Sequence, residues 1–180
     1  MSYNKKLFYF YMKSLFNYIS IMLTDELINK LITEEKIITE PPKRDFKEEN
    51  QHLRNDFQLT SSDGVRKYSV FIRKHIQFWE NFSIGLIFHS EEGTSYNLFR
   101  CNGNHGEVLV DILNPTPHFG YHIHKLTSKE IENNIFDPKL SELTKEYASY
   151  EQALNYFCRY VNIKDADKYF PNINQPNLFE

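Results

Sequence analysis

Phe82-Ser83-Ile84-Gly85-Leu86-Ile87-Phe88 places an apolar residue at every second position, and this stretch decides the fold. Period two is the pattern of a strand with one face buried and the other facing away from the core. Working upstream, Val65 to Ile76 is rich in β-branched and aromatic residues and predicts a second strand. Ser61-Ser62-Asp63-Gly64 before it is a strong hairpin signal, which makes Phe57 to Thr60 the partner strand. Downstream, the turn Glu91-Glu92-Gly93 leads into a strand over Thr94 to Cys101. Asn102-Gly103 turns the chain again. Val108, Val110 and Ile112 then alternate on a short fifth strand, and Pro115 and Pro117 separate it from a sixth over Phe119 to Leu126.

Helical signals flank this run. Thr24 reads as an N-cap, with Asp25 and Glu26 in the first turn where the helix dipole favours acids. Leu27, Ile28, Leu31, Ile32 and Ile38 keep helical spacing, so a helix is expected over 25–39, ended by Pro41-Pro42. Residues 43–55 are mostly polar and read as an exposed connection. Two capping boxes follow the strands, Thr127 to Glu130 and Ser149 to Gln152. The second opens an amphipathic helix carrying Tyr150, Ala153, Leu154, Phe157, Cys158 and Val161 on one stripe. The expected fold is therefore α+β. It has an N-terminal helix, a six-stranded, mostly antiparallel meander, and a C-terminal amphipathic helix packed on one face of the sheet.

At 180 residues the chain can bury a core without staples, and 41% hydrophobic with 25% charged residues is ordinary for a globular domain. Residues 22–163 read as a single domain and 164–180 as a loosely ordered tail rich in Asn and Pro. Residues 1–21 carry Lys5, Lys6 and Lys13 but no acid. Lys13, Ser14 and Asn17 interrupt their apolar runs, which argues against a membrane span, and no small-residue cleavage site marks a secretory signal. Met22 reads as a fresh start, which would leave 1–21 as an extension; an amphipathic appendage is the other reading. The net charge of −3 disfavours a globally basic nucleic-acid surface but not a local patch. Cys101 and Cys158 are far apart and read as free thiols of a reducing, cytoplasmic compartment.

Polar chemistry concentrates between Arg100 and His124, which hold four of the seven histidines: His105, His118, His122 and His124. On a strand, His122 and His124 project to the same face. The turn at Asn102-Gly103 can bring His105 back over the sheet beside Arg100. Three readings fit this cluster. Paired imidazoles with an arginine suit metal-free acid–base chemistry on a phosphodiester. His-x-His with His105 or His118 suits a divalent metal, with Glu107 and Asp111 as weak additional ligands. The third reading is structural, with these histidines as satisfied polar groups on a half-buried sheet face. Glu130 is explained by its capping box. Arg66, Lys67, Arg73 and Lys74 offer a phosphate-backbone stripe or a solvated strand face. His52, His75 and His89 read as isolated solvent-facing residues, and Tyr121 and Phe119 as core.

The order Leu98-Phe99-Arg100-Cys101-Asn102-Gly103, then His105, then Phe119-Gly120-Tyr121-His122-Ile123-His124 resembles a family of small uncharacterised bacterial proteins. The resemblance runs over roughly 22–163, with Cys101 where that family tends to have tyrosine. The same pattern is similar to TumE-like proteins, proposed toxin components of bacterial toxin–antitoxin pairs. It implies interference with RNA or translation and a cognate antitoxin partner. With the residue chemistry, this gives one expectation: His122 and His124 as acid and base, Arg100 on phosphate, His105 orienting substrate, no cofactor and no metal. A non-catalytic binding or inhibitory protein using the same face is the alternative.

Overall fold

The structure, a computed structural model, describes residues 23–105 and 120–171. In chain order it contains α1 (Asp25–Thr33), β1 (Lys36–Glu40), β2 (Lys47–Glu49), β3 (His52–Ser61), β4 (Lys67–His75) and β5 (Phe82–His89). There follow β6 (Ser95–Asn102), β7 (His122–Lys125), α2 (Ser128–Glu132), β8 (Ser141–Leu143), α3 (Tyr150–Tyr160) and a 3₁₀ turn, Ala166–Lys168. The result is a mixed α+β fold built on an open antiparallel sheet of seven to eight strands. Its order is β1-β3-β4-β5-β6-β7-β8, and the three-residue β2 lies off this path against β3.

The register sorts the side chains. Phe57, Val70, Leu86 and Phe99 stand opposite one another across four strands, and Ile72, Ile84, Cys101 and Ile123 form the next line. These lines face the helices. Ile28, Leu31 and Ile32 of α1 and Ala153, Leu154 and Phe157 of α3 complete the core, with Phe99 stacked on Phe157 and on Tyr160. Each such side chain contributes about 1.5–3 kcal/mol by leaving water. On α3 the buried residues are Ala153, Leu154, Phe157 and Cys158. Both cysteines are free and buried. Among the described residues, no helix is long and apolar enough to cross a membrane.

Several boundaries differ from the sequence reading. The first helix stops at Thr33, and Lys36-Ile37-Ile38-Thr39 is strand, its β-branched residues pairing with Thr60 and Leu59. Residues 47–55 are not a mere connection: β2 and the start of β3 form a hairpin whose turn, Asn50-Gln51, has positive φ at both positions. That conformation is normally signalled by glycine, which is absent here. The strand β8 was not expected, and the expected strand over 108–112 lies outside the described residues, as do residues 1–22. The chain after Asp165 is held at least as far as Phe170, which packs near Phe57 at 5.8 Å between ring centroids.

Lys36 joins the two principal helices and is fully buried. Its Nζ donates to Ile32 O (2.8 Å) and Glu34 O (2.8 Å) at the end of α1, and to Val161 O (3.0 Å) at the end of α3. Its backbone N–H donates to Asn162 O and its carbonyl accepts from Lys164 N–H. The carbonyl ends of two helix dipoles thus converge on one amine. Three carbonyls match the three hydrogens of an ammonium, yet burial pushes the pKa down from 10.5 to about 7, with the Glu34 charge opposing. Above pH 7 the folded lysine sheds a proton that the unfolded lysine keeps until about 10.5. Raising the pH through that window therefore favours the folded state. Denaturant unfolding of wild type and Lys36→Met should show wild type gaining on the variant between pH 7 and 8.5, by at most about 1.4 kcal/mol per pH unit.

Candidate functional site

The sheet face turned away from the helices is polar by the same register. Arg54, Arg73, Ser83, Asn102 and His122 stand side by side, one from each of β3 to β7. The next line is Asp56, Phe71, Gly85, Arg100 and His124. Phe71 lies over Gly85, where any Cβ would come within 2.3 Å of its ring. A cleft of about 420 Å³ opens on this face. Arg73, Arg100, His105, His124, Ser83 and Asn102 line it, with His52 and Asn81 at one end and Asp137 and Lys139 as a wall. Its cations Arg73, Arg100 and Lys139 outnumber its single carboxylate.

All four residues singled out from the sequence meet here. His122 and His124 share the face as expected, with ring centroids 5.1 Å apart at 70°. Arg100 sits directly opposite His124. His105 does return over the sheet. Its ring meets His122 at 4.9 Å and 69°, with Nε2 to Nε2 at 3.2 Å. The three imidazoles form a stepped series with His122 in the middle. His122 is 0% exposed and does not line the cleft, whereas His105 is half-buried and does. His124, 2% exposed, lines it as well.

Hydrogen-bond roles can be read along the upper line. Gly120 O can only accept, so His122 Nδ1, at 2.8 Å, carries the proton and a neutral His122 accepts at Nε2. Asn102 Nδ2 donates to that nitrogen (3.1 Å), and Asn102 Oδ1 accepts from Ser83 Oγ (2.7 Å). His105 Nε2 lies 3.2 Å from the same nitrogen. The backbone beneath is fixed by Tyr147, whose hydroxyl donates to His122 O (2.7 Å) and accepts from Asn102 N–H (3.1 Å). Burial raises the Tyr147 phenol far above its usual value, so it stays protonated. Burial likewise raises both thiols, Cys158 to about 12, and removes them as nucleophiles at neutral pH.

The wall of the cleft comes from the chain between α2 and β8. Asp137 Oδ1 accepts from Asn97 Nδ2 (2.9 Å) and Arg100 Nη1 (3.2 Å). Burial lowers the Arg100 pKa, and Asp137 opposes that shift. Arg100 Nε has no hydrogen-bond partner among the described residues. Glu130 completes its capping box with Thr127 and also accepts from Lys139 N–H (2.9 Å), so the cap doubles as the anchor of the wall. Nothing in the spacing signals that second role, nor the parts played by Ser83, Asn102 and Tyr147.

Other expectations resolve differently. Of the basic residues on β4, Arg73 alone lines the cleft. Arg66 pairs with Glu34, and Lys74 lies over the Tyr150 ring at 4.6 Å. His52 and His75 are not isolated: their rings touch at 5.0 Å and His75 is buried. His89 bonds Ser69 and Ser95. Tyr121 packs beside Phe82 and Tyr147. Glu107, Asp111, His118 and Phe119 lie outside the described residues. Among the described residues, no group of three or more His, Cys, Asp or Glu could hold a metal ion.

No protein-family model, curated protein or solved structure matches the chain.

The Tyr147 clamp has a measurable worth. Tyr147→Phe removes the partner of a buried N–H and a buried carbonyl while keeping the ring. It should cost about 2 kcal/mol in denaturant unfolding, within the range for orphaned buried groups.

Proposed function

We propose that this chain is a bacterial RNA-directed protein of the toxin–antitoxin or mobile-element kind that cleaves the phosphodiester backbone by metal-free acid–base chemistry. The observation that carries the reading is the cleft, where Arg73 and Arg100 meet the imidazoles of His105 and His124 on one sheet face. Arg100 and Arg73 supply the charge that a phosphate requires, in a partly buried site where that charge acts strongly. Arg100 releases Asp137 in favour of the phosphate.

The reacting pair is His105 and His124. One imidazole takes the proton of a ribose 2′-hydroxyl as O2′ forms its bond to phosphorus. The P–O5′ bond breaks, and the other imidazole, protonated, gives its proton to O5′. A 2′,3′-cyclic phosphate and a 5′-hydroxyl result. His122, between the two rings, becomes a positioning residue, with Asn102 and Ser83 fixing its tautomer. Unlike His105 and His124 it does not line the cleft, which moves it from the role of reacting group that the residue pattern suggested.

A second reading has one observation in its favour. Leu140 and Leu143 are exposed at the edge strand β8, and Leu143 pairs with His122. A non-catalytic binding protein could use that edge and the same face to hold a cognate antitoxin protein.

Purified protein incubated with single-stranded RNA should yield 2′,3′-cyclic ends, and EDTA should leave the rate unchanged. His105→Ala and His124→Ala should each lower the rate about 10²–10⁴-fold, and Arg100→Ala about 10²–10³-fold. A 2′-deoxy strand should remain intact. Binding without cleavage by the wild type, under all these conditions, would favour the second reading.

A further inference from the structure

The turn between β4 and β5 presents the apolar side chains Phe78 and Trp79, 63% and 60% exposed, in succession. The turn is built and held rather than loose. His75 N–H donates to Asn81 O (2.8 Å), Asn81 N–H to Phe78 O (2.8 Å) and Ile76 N–H to Gln51 O (3.0 Å). His75 Nδ1 accepts from both Gln77 N–H and Phe78 N–H, each at 3.1 Å. The Phe78 ring rests 4.9 Å from the His75 ring, which rests 5.0 Å from His52 at one end of the cleft. Asn81 lines the cleft too, and Trp79 precedes it by two residues, at most about 7 Å along the chain. Two exposed aromatics thus border a cationic cleft on a preorganised turn.

Exposing such rings to water is unfavourable unless something covers them. The neighbouring charge says what: we infer that Phe78 and Trp79 form a stacking platform for unpaired bases of single-stranded RNA whose backbone phosphate lies in the Arg73–Arg100 cleft. The inference rests on the cleft taking phosphate. It adds that the substrate is single-stranded, because a paired base cannot leave its stack to lie on the turn without breaking its pair. Stacking is tolerant of base identity, so the platform selects strandedness more than sequence.

Trp79 is the chain's sole tryptophan, so its emission reports on the platform directly. The probe is an eight-nucleotide 2′-O-methyl oligoadenylate, which cannot be cleaved by 2′-hydroxyl attack. It is titrated alone, annealed to its complement, and against inorganic phosphate. The single strand should change Trp79 emission; the duplex and phosphate should leave it unchanged. Anisotropy of the labelled strand should show about tenfold weaker binding for Phe78→Ala and for Trp79→Ala, with wild-type melting temperatures since both side chains are exposed. Equal binding by wild type and variants, equal emission changes with duplex and single strand, or no binding of the strand would each overturn the platform. So would an emission change produced by a partner protein and not by RNA. If the strand binds through Trp79 yet the 2′-hydroxyl version is never cleaved, the platform stands and the cleavage mechanism falls. Cleavage without any Trp79 response gives the reverse.

Discussion

A slip of one residue by β6 in its pairing with β5 would turn Arg100 and Asn102 into the core and bring Phe99 and Cys101 out to the cleft. Strand side chains alternate strictly, so register is the constraint on which both faces depend. It is set from the helix side, where Phe99, Leu86, Val70 and Phe57 align against α1 and α3. The polar line from Arg54 to His122 is the reverse of that apolar alignment. The cleft therefore draws its rigidity from the core without sharing its chemistry, a division suited to a site that must hold ionisable groups in place.

Two small devices pin the ends of this arrangement. Lys36 draws the C-terminal ends of α1 and α3 together at one corner through its buried amine, at the expense of solvation. Tyr147 ties Asn102 to His122 where the β6–β7 ladder ends, reaching from the segment before α3 into the gap between strands. The first fixes how the helices cover the sheet. The second fixes how two cleft-bearing strands lie together. Glu130 adds a third tie by holding the Asp137–Lys139 wall over Arg100.

Much of this was legible in the residues. Alternation over Phe82–Phe88, the glycine turns at Gly64 and Gly93, and the capping boxes at Thr127 and Ser149 are local signals, and each marks an element that forms. His122 and His124 share a face because two-residue spacing requires it. What was not legible depends on distant partners. Lys36–Glu40 fits a helical stripe as well as a strand, and pairing with β3 decides between them. The Asn50-Gln51 turn lacks the glycine that would announce it. That His122 is buried while His105 faces the cleft is a matter of tertiary placement, which no period encodes. Nor does any spacing reveal that Asp137 faces Arg100.

Asn102-Gly103 carries a chemical liability that the fold suppresses. In a mobile chain the glycine amide nitrogen attacks the asparagine side-chain carbonyl, and the amide is lost through a succinimide. Here the Gly103 N–H is engaged with Phe82 O, and the Asn102 side chain is held at both ends by Ser83 and His122. Gly103 itself cannot be exchanged for a safer residue, since a Cβ would fall 1.8 Å from Glu80 O. Time spent unfolded is thus recorded covalently. A carboxylate at position 102 lacks the amide N–H that His122 Nε2 accepts and would draw a proton onto that nitrogen instead, so a chain that ages before folding returns with a charged pair where a neutral one stood.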